Sequence, residues 1–424
     1  MKSFSCLRLL VLRVALAASA LSAAPLSLDE LVRDIVAHHP ELAFYEAEID
    51  AARAQRRLTA TLPPPELAFD AGHKRVRDLG GTLAGEGLAW SVSLAQTFEW
   101  PGRLALRKSL ANRDVALAEL GLARFRAALA ARTRTVATTL DAARRQAAAT
   151  AEVAARFQAL REVFLARDPA GLTPRLETRV IEAQEISLRR RATDAAIAAH
   201  TALLELNQLR GAPPEAPLAL APIMPSFGSA PLPPAAALLA AARENNFEYR
   251  AARLELEQQG AAVSLARHER YPSFTLRPFY SQESAGERET TVGLGVSLPL
   301  PLPSRARSGA QIAEARHRQA EAAVWAAERA LERAVLTAAD TFTARAAALA
   351  LWQPDASETF REAAALADEH YRLGAVPLAT YLELQTAYLD AVEALLATQR
   401  DALDAAQQLQ ALTGLEFPRA EAQP

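Results

Sequence analysis

The chain has a single cysteine, Cys6, among 424 residues. Beyond it there is no thiol to form a disulfide, to ligate a metal or to carry a lipid. No later stretch approaches the ~18 uninterrupted apolar residues of a membrane-spanning helix. The formal charge of −2 excludes a broadly basic, nucleic-acid-binding surface. There is no phosphate loop and no Gly-x-Ser-x-Gly elbow. The seven histidines (His38, His39, His73, His200, His268, His317, His370) are scattered, without the carboxylate or thiol spacing of a metal site. No catalytic residue, cofactor or metal ligand is therefore expected, and the chain does not read as an enzyme.

What the sequence has is apolar residues, half of the total, and enough charge (23%) to argue against disorder. Lys2, Arg8 and Arg13 precede or interrupt a short apolar run, and small residues fill positions 18–24. This is the form of a cleavable signal peptide, residues 1–24, whose apolar centre is too short to span a membrane. The reading implies export with no lipid anchor, because Cys6 leaves with the leader.

The rest repeats itself. HHPELAFYEAEIDAARAQ (38–55) resembles NNFEYRAARLELEQQGAA (245–262), and SVSLAQTFEWPGR (91–103) parallels GVSLPLPLPSRAR (295–307). DPAGLTP (168–174) parallels RLGAVP (372–377), in the same order and at nearly the same shift. The layout is a first repeat at 25–212, a proline-rich linker at 213–234, a second repeat at 235–416 and a tail at 417–424. The linker reads as an extended crossover, since proline neither continues a helix nor donates in a sheet. Each repeat is expected to hold a helix of about 30 residues (28–61; 235–270) and two strands (66–73 and 88–98; 273–281 and 289–299). A very long helix follows, then a tight glycine turn and a returning helix (175–210; 377–413). From Arg103 to Asp168 the long helix would run roughly 100 Å. Its counterpart from 304 to 373 should break or kink at Pro354. Leu382, Leu389, Val392, Leu396 and Leu403 form a heptad seam, so these rods need lateral partners.

The strands alternate. Leu88, Trp90, Val92 and Leu94 lie opposite Ala89, Ser91, Ser93 and Ala95; Val292, Leu294, Val296 and Leu298 lie opposite Thr291, Gly293, Gly295 and Ser297. Strands of this length cross a bilayer when tilted, and the two apolar sets are the expected lipid-facing positions. In lipid an open sheet edge leaves backbone groups unpaired, so the sheet must close. Four strands are too few for a barrel, and three chains giving twelve is the small solution. A soluble periplasmic coiled-coil scaffold, its sheet packed on a helix, is the alternative.

These residues resemble the TolC family of outer-membrane efflux ducts. YRLGAVPLATYLELQTAYLDA (371–391) is similar to the family's turn motif, and QTFEWPGRLALR (96–107) resembles the strand-to-helix corner of the CzcC-like heavy-metal branch. The resemblance implies a mainly α, trimeric duct: a coiled-coil helical barrel in the periplasm and a 12-stranded β-barrel in the outer membrane, four strands per protomer. It implies outer-membrane lipid around the barrel, docking to a periplasmic adaptor and an inner-membrane pump of the RND type, and passive efflux, with heavy-metal cations as one cargo. A type I secretion or drug-efflux duct would use the same fold. It further implies an adaptor-docking tip at Gly171, Leu172, Arg372, Leu373 and Gly374, and a tunnel constriction or gate at Glu177, Tyr371 and Glu383. Where the family pattern places a basic residue two positions after the second glycine, this chain has Val376.

Overall fold

The computed structural model describes residues 25–167, 172–223, 227, 232–300, 303–353 and 355–416. The signal-peptide segment, Gly171, Pro354 and the 417–424 tail lie outside them.

The first half runs α1 (Leu28–His38), α2 (Leu42–Thr59), β1 (Glu66–Arg77), β2 (Leu83–Phe98), α3 (Arg103–Arg167) and α4 (Leu172–Arg210). The second half follows the same order: α5 (Ala235–Asn245), α6 (Phe247–His268), β3 (Phe274–Ser284), β4 (Arg288–Ser297), α7 (Pro303–Ala350), α8 (Ala356–Arg372) and α9 (Leu378–Thr413). The helix expected at 28–61 is thus two helices. Pro40 forces His39 to an extended conformation (φ −61°, ψ 129°), which ends α1. The start of α1 is a capping box, with Ser27 N donating to Glu30 Oε2 at 3.0 Å. The helix expected at 235–270 breaks at the equivalent place. There Asn246 is extended and its side chain accepts from Tyr249 N at 2.9 Å, capping α6. The break near Pro354 occurs as expected, between α7 and α8.

Two compact units draw on both halves. The first, built from residues up to Leu42, Arg124–Asn245 and Glu332 onward, is helical. One of its cores joins Leu31 and Ile35 of α1 to Leu140 of α3, Leu206 of α4 and Leu218 of the linker. The described part of the linker is neither helix nor strand, and it is pinned. Leu26 N donates to Ala219 O at 3.0 Å, and Ala221 N returns a bond to Leu26 O at 2.9 Å. Fully buried Asn207 donates to Pro214 O and Ala216 O, supplying donors to a segment whose prolines have none to give. A second core in the same unit joins α3, α4, α8 and α9 through Val153, Phe157, Leu160, Ile181, Tyr381, Leu389 and Val392.

The other unit (Ala43–Ala123 and Asn246–Leu331) carries one antiparallel sheet in the order β1-β2-β3-β4. Both hairpins are longer than their alternation suggested, and their loops correspondingly shorter. β1 reaches Arg77, β2 starts at Leu83 and takes in Gly85, and β3 and β4 leave only residues 285–287 between them. β2 ends in the corner WPGR. Gly102 there has φ +94°, a conformation costly for any residue with a Cβ, and Leu106 N bonds to Gly102 O as α3 begins.

Candidate functional site

Register sorts the sheet into two faces. Leu67 pairs with Leu94, Phe69 with Val92, Val92 with Tyr280, and Tyr280 with Val292. Leu276 pairs with Val296 and Pro278 with Leu294. All of these lie on one face. Leu67, Phe69, Leu88, Leu94, Val292, Leu294, Val296 and Leu298 are exposed, several of them by two thirds or more of their surface. A contiguous apolar face of this kind marks a contact with something apolar. Phe69, Trp90 and Tyr280 form an aromatic row across three strands, with ring centroids 6.3 and 5.4 Å apart. Leu67 and Phe69 on this face were not singled out in the sequence, although ELAFDA alternates as clearly as β2 does.

The opposite face is small and polar. Thr97 and Thr275 share a hydrogen bond at 2.9 Å, Ser91 donates to Asp70 at 3.1 Å, and Lys74 pairs with Glu283 and, at 3.2 Å, with Glu289. One aromatic side chain belongs to this face, Phe279, whose ring occupies the space a Cβ on Gly293 would need. Strands β1 and β4 are the sheet's outer members, each paired on one side only.

The helical hairpin of the second half forms the other candidate region. Past α8, Gly374 adopts φ +74°, Gly374 N bonds to Tyr371 O, and Ala375 N bonds to His370 O, both at 2.9 Å. This pair of bonds closes the helix and lets the chain reverse into Pro377, the N-cap of α9. Leu373 stands 75% exposed at the tip. Arg372 is held by its own helix, Nε to Asp368 Oδ2 at 2.9 Å. In the first half, Leu172 and Glu177 lie on the opening turns of α4, and Gly171 falls outside the described residues.

Tyr371 packs inward. Its ring stacks on that of fully buried Tyr381 at 5.0 Å, and Tyr381 also meets Phe157 at 5.5 Å. Burial, with the Asp368 carboxylate nearby, raises the Tyr381 phenol well above the usual range, so it stays protonated. One turn on, buried Gln385 donates to Ala364 O at 2.6 Å and accepts from Arg156 at 3.1 Å. Arg156 in turn binds Glu152 at 2.6 Å. A buried amide and a guanidinium are thus satisfied across α3, α8 and α9, which fixes the register of these helices. Sequence reading missed Tyr381, Gln385 and Arg156. The available signal was Gln385 on the Leu382–Leu389 seam, where a polar residue requires a partner. Glu383 is exposed on α9, between half-buried Leu382 and exposed Leu384.

Residues 238–415 match the family described as outer membrane efflux protein. The second half of the chain is thus similar to an outer membrane efflux domain. No curated protein matches the chain. Three solved structures share its fold over nearly the whole length. A membrane protein from Pseudomonas aeruginosa is 21% identical, covering 93% of this chain and 92% of its own, with a TM-score of 0.70. The Campylobacter jejuni CmeC outer membrane channel is 14% identical (93% and 87% covered, TM-score 0.73). The open state of the Neisseria gonorrhoeae MtrE outer membrane channel is 19% identical (92% and 90% covered, TM-score 0.71). The TolC-family resemblance of the sequence therefore holds, and with it the mainly helical fold with a small sheet. Efflux proteins of this family are channels rather than enzymes. None of the described helices is long and apolar enough to cross a membrane.

Proposed function

We propose that the chain is the outer-membrane duct of a tripartite efflux system, a homotrimer that docks a periplasmic adaptor and an RND-type inner-membrane pump. The observation that carries this reading is the apolar sheet face between two unpaired strand edges. Eight residues separate Phe98 from Trp90 on that face, ~27 Å of strand, or ~20 Å along the membrane normal at a tilt near 45°. That height suits a barrel's apolar band. Lipid cannot satisfy the free edges of β1 and β4, and pairing β4 of one copy with β1 of the next in a ring of three satisfies all of them. A soluble scaffold would have no use for eight exposed large apolar side chains on one sheet face. Native mass spectrometry of detergent-extracted protein should give the mass of three chains, and a monodisperse detergent-free monomer would overturn the reading.

In this duct the α8–α9 turn is the adaptor-docking tip, through Leu373 with Gly374 shaping the turn, and with Gly171 and Leu172 at the matching place in the first half. Leu373→Asp should abolish efflux and leave trimer assembly intact, because the side chain is exposed and supports no core. A photocrosslinker at 373 should capture an adaptor, and capture only at positions far from the turn would move the docking site. Glu383 and Glu177 are the constriction carboxylates. Glu383 lies five residues past Leu378, the first residue of α9, ~8 Å along the helix, and threefold symmetry would set three carboxylates around one ring. Single-channel recording should show cation preference and block by multivalent cations, both weakened in Glu383→Gln. Unchanged selectivity would remove Glu383 from the constriction. Support for a heavy-metal cargo comes from the QTFEWPGR corner (96–103), and the neighbouring pump genes would test it. Tyr371, stacked on Tyr381, braces the hairpin from within the protomer, so its part in a closed state is to hold the hairpin's shape.

A further inference from the structure

The sheet's apolar face changes character toward the hairpin loops. Continuing the same alternation past Ala71 and Trp90, β1 presents His73, Arg75 and Arg77, β2 presents Leu88 and then Glu86, and β4 begins with Arg288. Arg75, Arg77 and Arg288 are all exposed. Glu86 is the one carboxylate on this stretch of the face, paired to Arg75 Nε at 3.0 Å and lying 3.5 Å from His73 Nε2. Arg77 reaches Gly81 O at 3.3 Å, and Arg288 lies beside Gln282 of the same face.

On the opposite face at this level the charge has the other sign. Lys74 is held between Glu283 and Glu289, one cation against two carboxylates. Charge is therefore segregated through the thickness of the sheet, cationic on the apolar face and acidic on the polar one. Random decoration of a hairpin end would not sort charge by strand parity.

We infer that Arg75, Arg77 and Arg288 form a rim that binds the phosphate headgroups of anionic lipid in the leaflet surrounding the hairpin ends. Three guanidinia against one carboxylate give the rim a net positive charge, and guanidinium geometry suits a phosphate's oxygens. The rim continues directly from the apolar face, so one lipid can lay its chains on Val92, Tyr280 and Val292 and its phosphates against the arginines. Basic side chains at a membrane surface attract anionic lipid additively. The inner acidic cluster meets the lumen and takes no part.

The inference rests on the outer-membrane reading, and one measurement separates the two. Detergent-extracted protein is mixed with lipid A carrying its two phosphates or with the same lipid after phosphatase treatment, and retained lipid is read by native mass spectrometry. Wild type should keep the phosphorylated lipid and release the other. Combined Arg75→Gln, Arg77→Gln and Arg288→Gln should reduce retention about tenfold or more, while Lys74→Gln, on the inner face, leaves it unchanged. The chain count in the same spectrum reports the trimer independently. Should the triple variant not assemble, Arg77→Gln and Arg288→Gln singly should each lower retention. Equal retention by wild type and assembled arginine variants, or equal retention of both lipid forms, overturns the rim.

Discussion

Replacing Tyr381 by alanine should destabilise the helical unit by about 3–5 kcal/mol, the range for deleting a fully buried large aromatic. Its ring lies between those of Tyr371 and Phe157, so truncation opens a cavity where α3, α8 and α9 meet. Tyr381→Phe keeps the ring and removes only the hydroxyl, and should cost no more than about 1.5 kcal/mol. Denaturant or thermal melts of the detergent-solubilised protein, followed by helix content, separate the two. Similar losses for both variants would mean the hydroxyl, rather than ring packing, holds the hairpin. The same cavity should loosen the α8–α9 turn, so Tyr381→Ala should also weaken crosslinking from residue 373.

A cation on the apolar sheet face should have an effect of similar size. Leu294→Lys is expected to disfavour the inserted state by about 2–4 kcal/mol, against about 0–1 for Thr291→Lys on the same strand. Leu294 is 65% exposed on the apolar face and lies near the middle of the band, opposite Pro278. Thr291 belongs to the polar face, where a lysine meets water in a closed barrel. Folding into lipid vesicles, scored by heat-modifiable migration, measures both. Ser93 would make a poorer control than its alternation suggests. It is buried opposite Phe279, so a lysine there fails for lack of space whichever face meets lipid. Equal effects of Leu294→Lys and Thr291→Lys would reverse or abolish the facial assignment.

Much of this architecture is legible in local pattern. The alternation of 88–98 and 291–298 names the strands, because side chains on a strand change face at every residue. The heptad of α9 names its buried seam, and Leu389, Val392, Leu396 and Leu403 are all buried. The glycine turn at 374 is readable because a left-handed residue must close the helix. The helix breaks at His39 and Asn246 were also written in the chain, as Pro40 and as an asparagine with cap chemistry. They were obscured by the stronger helical periodicity on either side.

Other features needed three dimensions. The family resemblance singles out Tyr371 but not its partner; its ring turns to Tyr381, since the α8–α9 reversal brings two residues ten apart face to face. Gln385 reads as a flaw in an apolar seam until Arg156 of a distant helix and the Ala364 carbonyl arrive to satisfy it. The linker reads as an extended crossover, and its anchoring by Asn207 and Leu26 is visible only in the structure.

Sequence alone determined the order of helical and strand segments, that this order recurs in both halves, and that each strand has an apolar and a polar face. These follow from periodicity and backbone sterics, which act over a few residues. Tertiary structure decided how the four strands order into one sheet and which buried polar groups pair. It also decided which charges share a face at the hairpin ends. Those outcomes depend on contacts between residues far apart in the chain, and no local period encodes them.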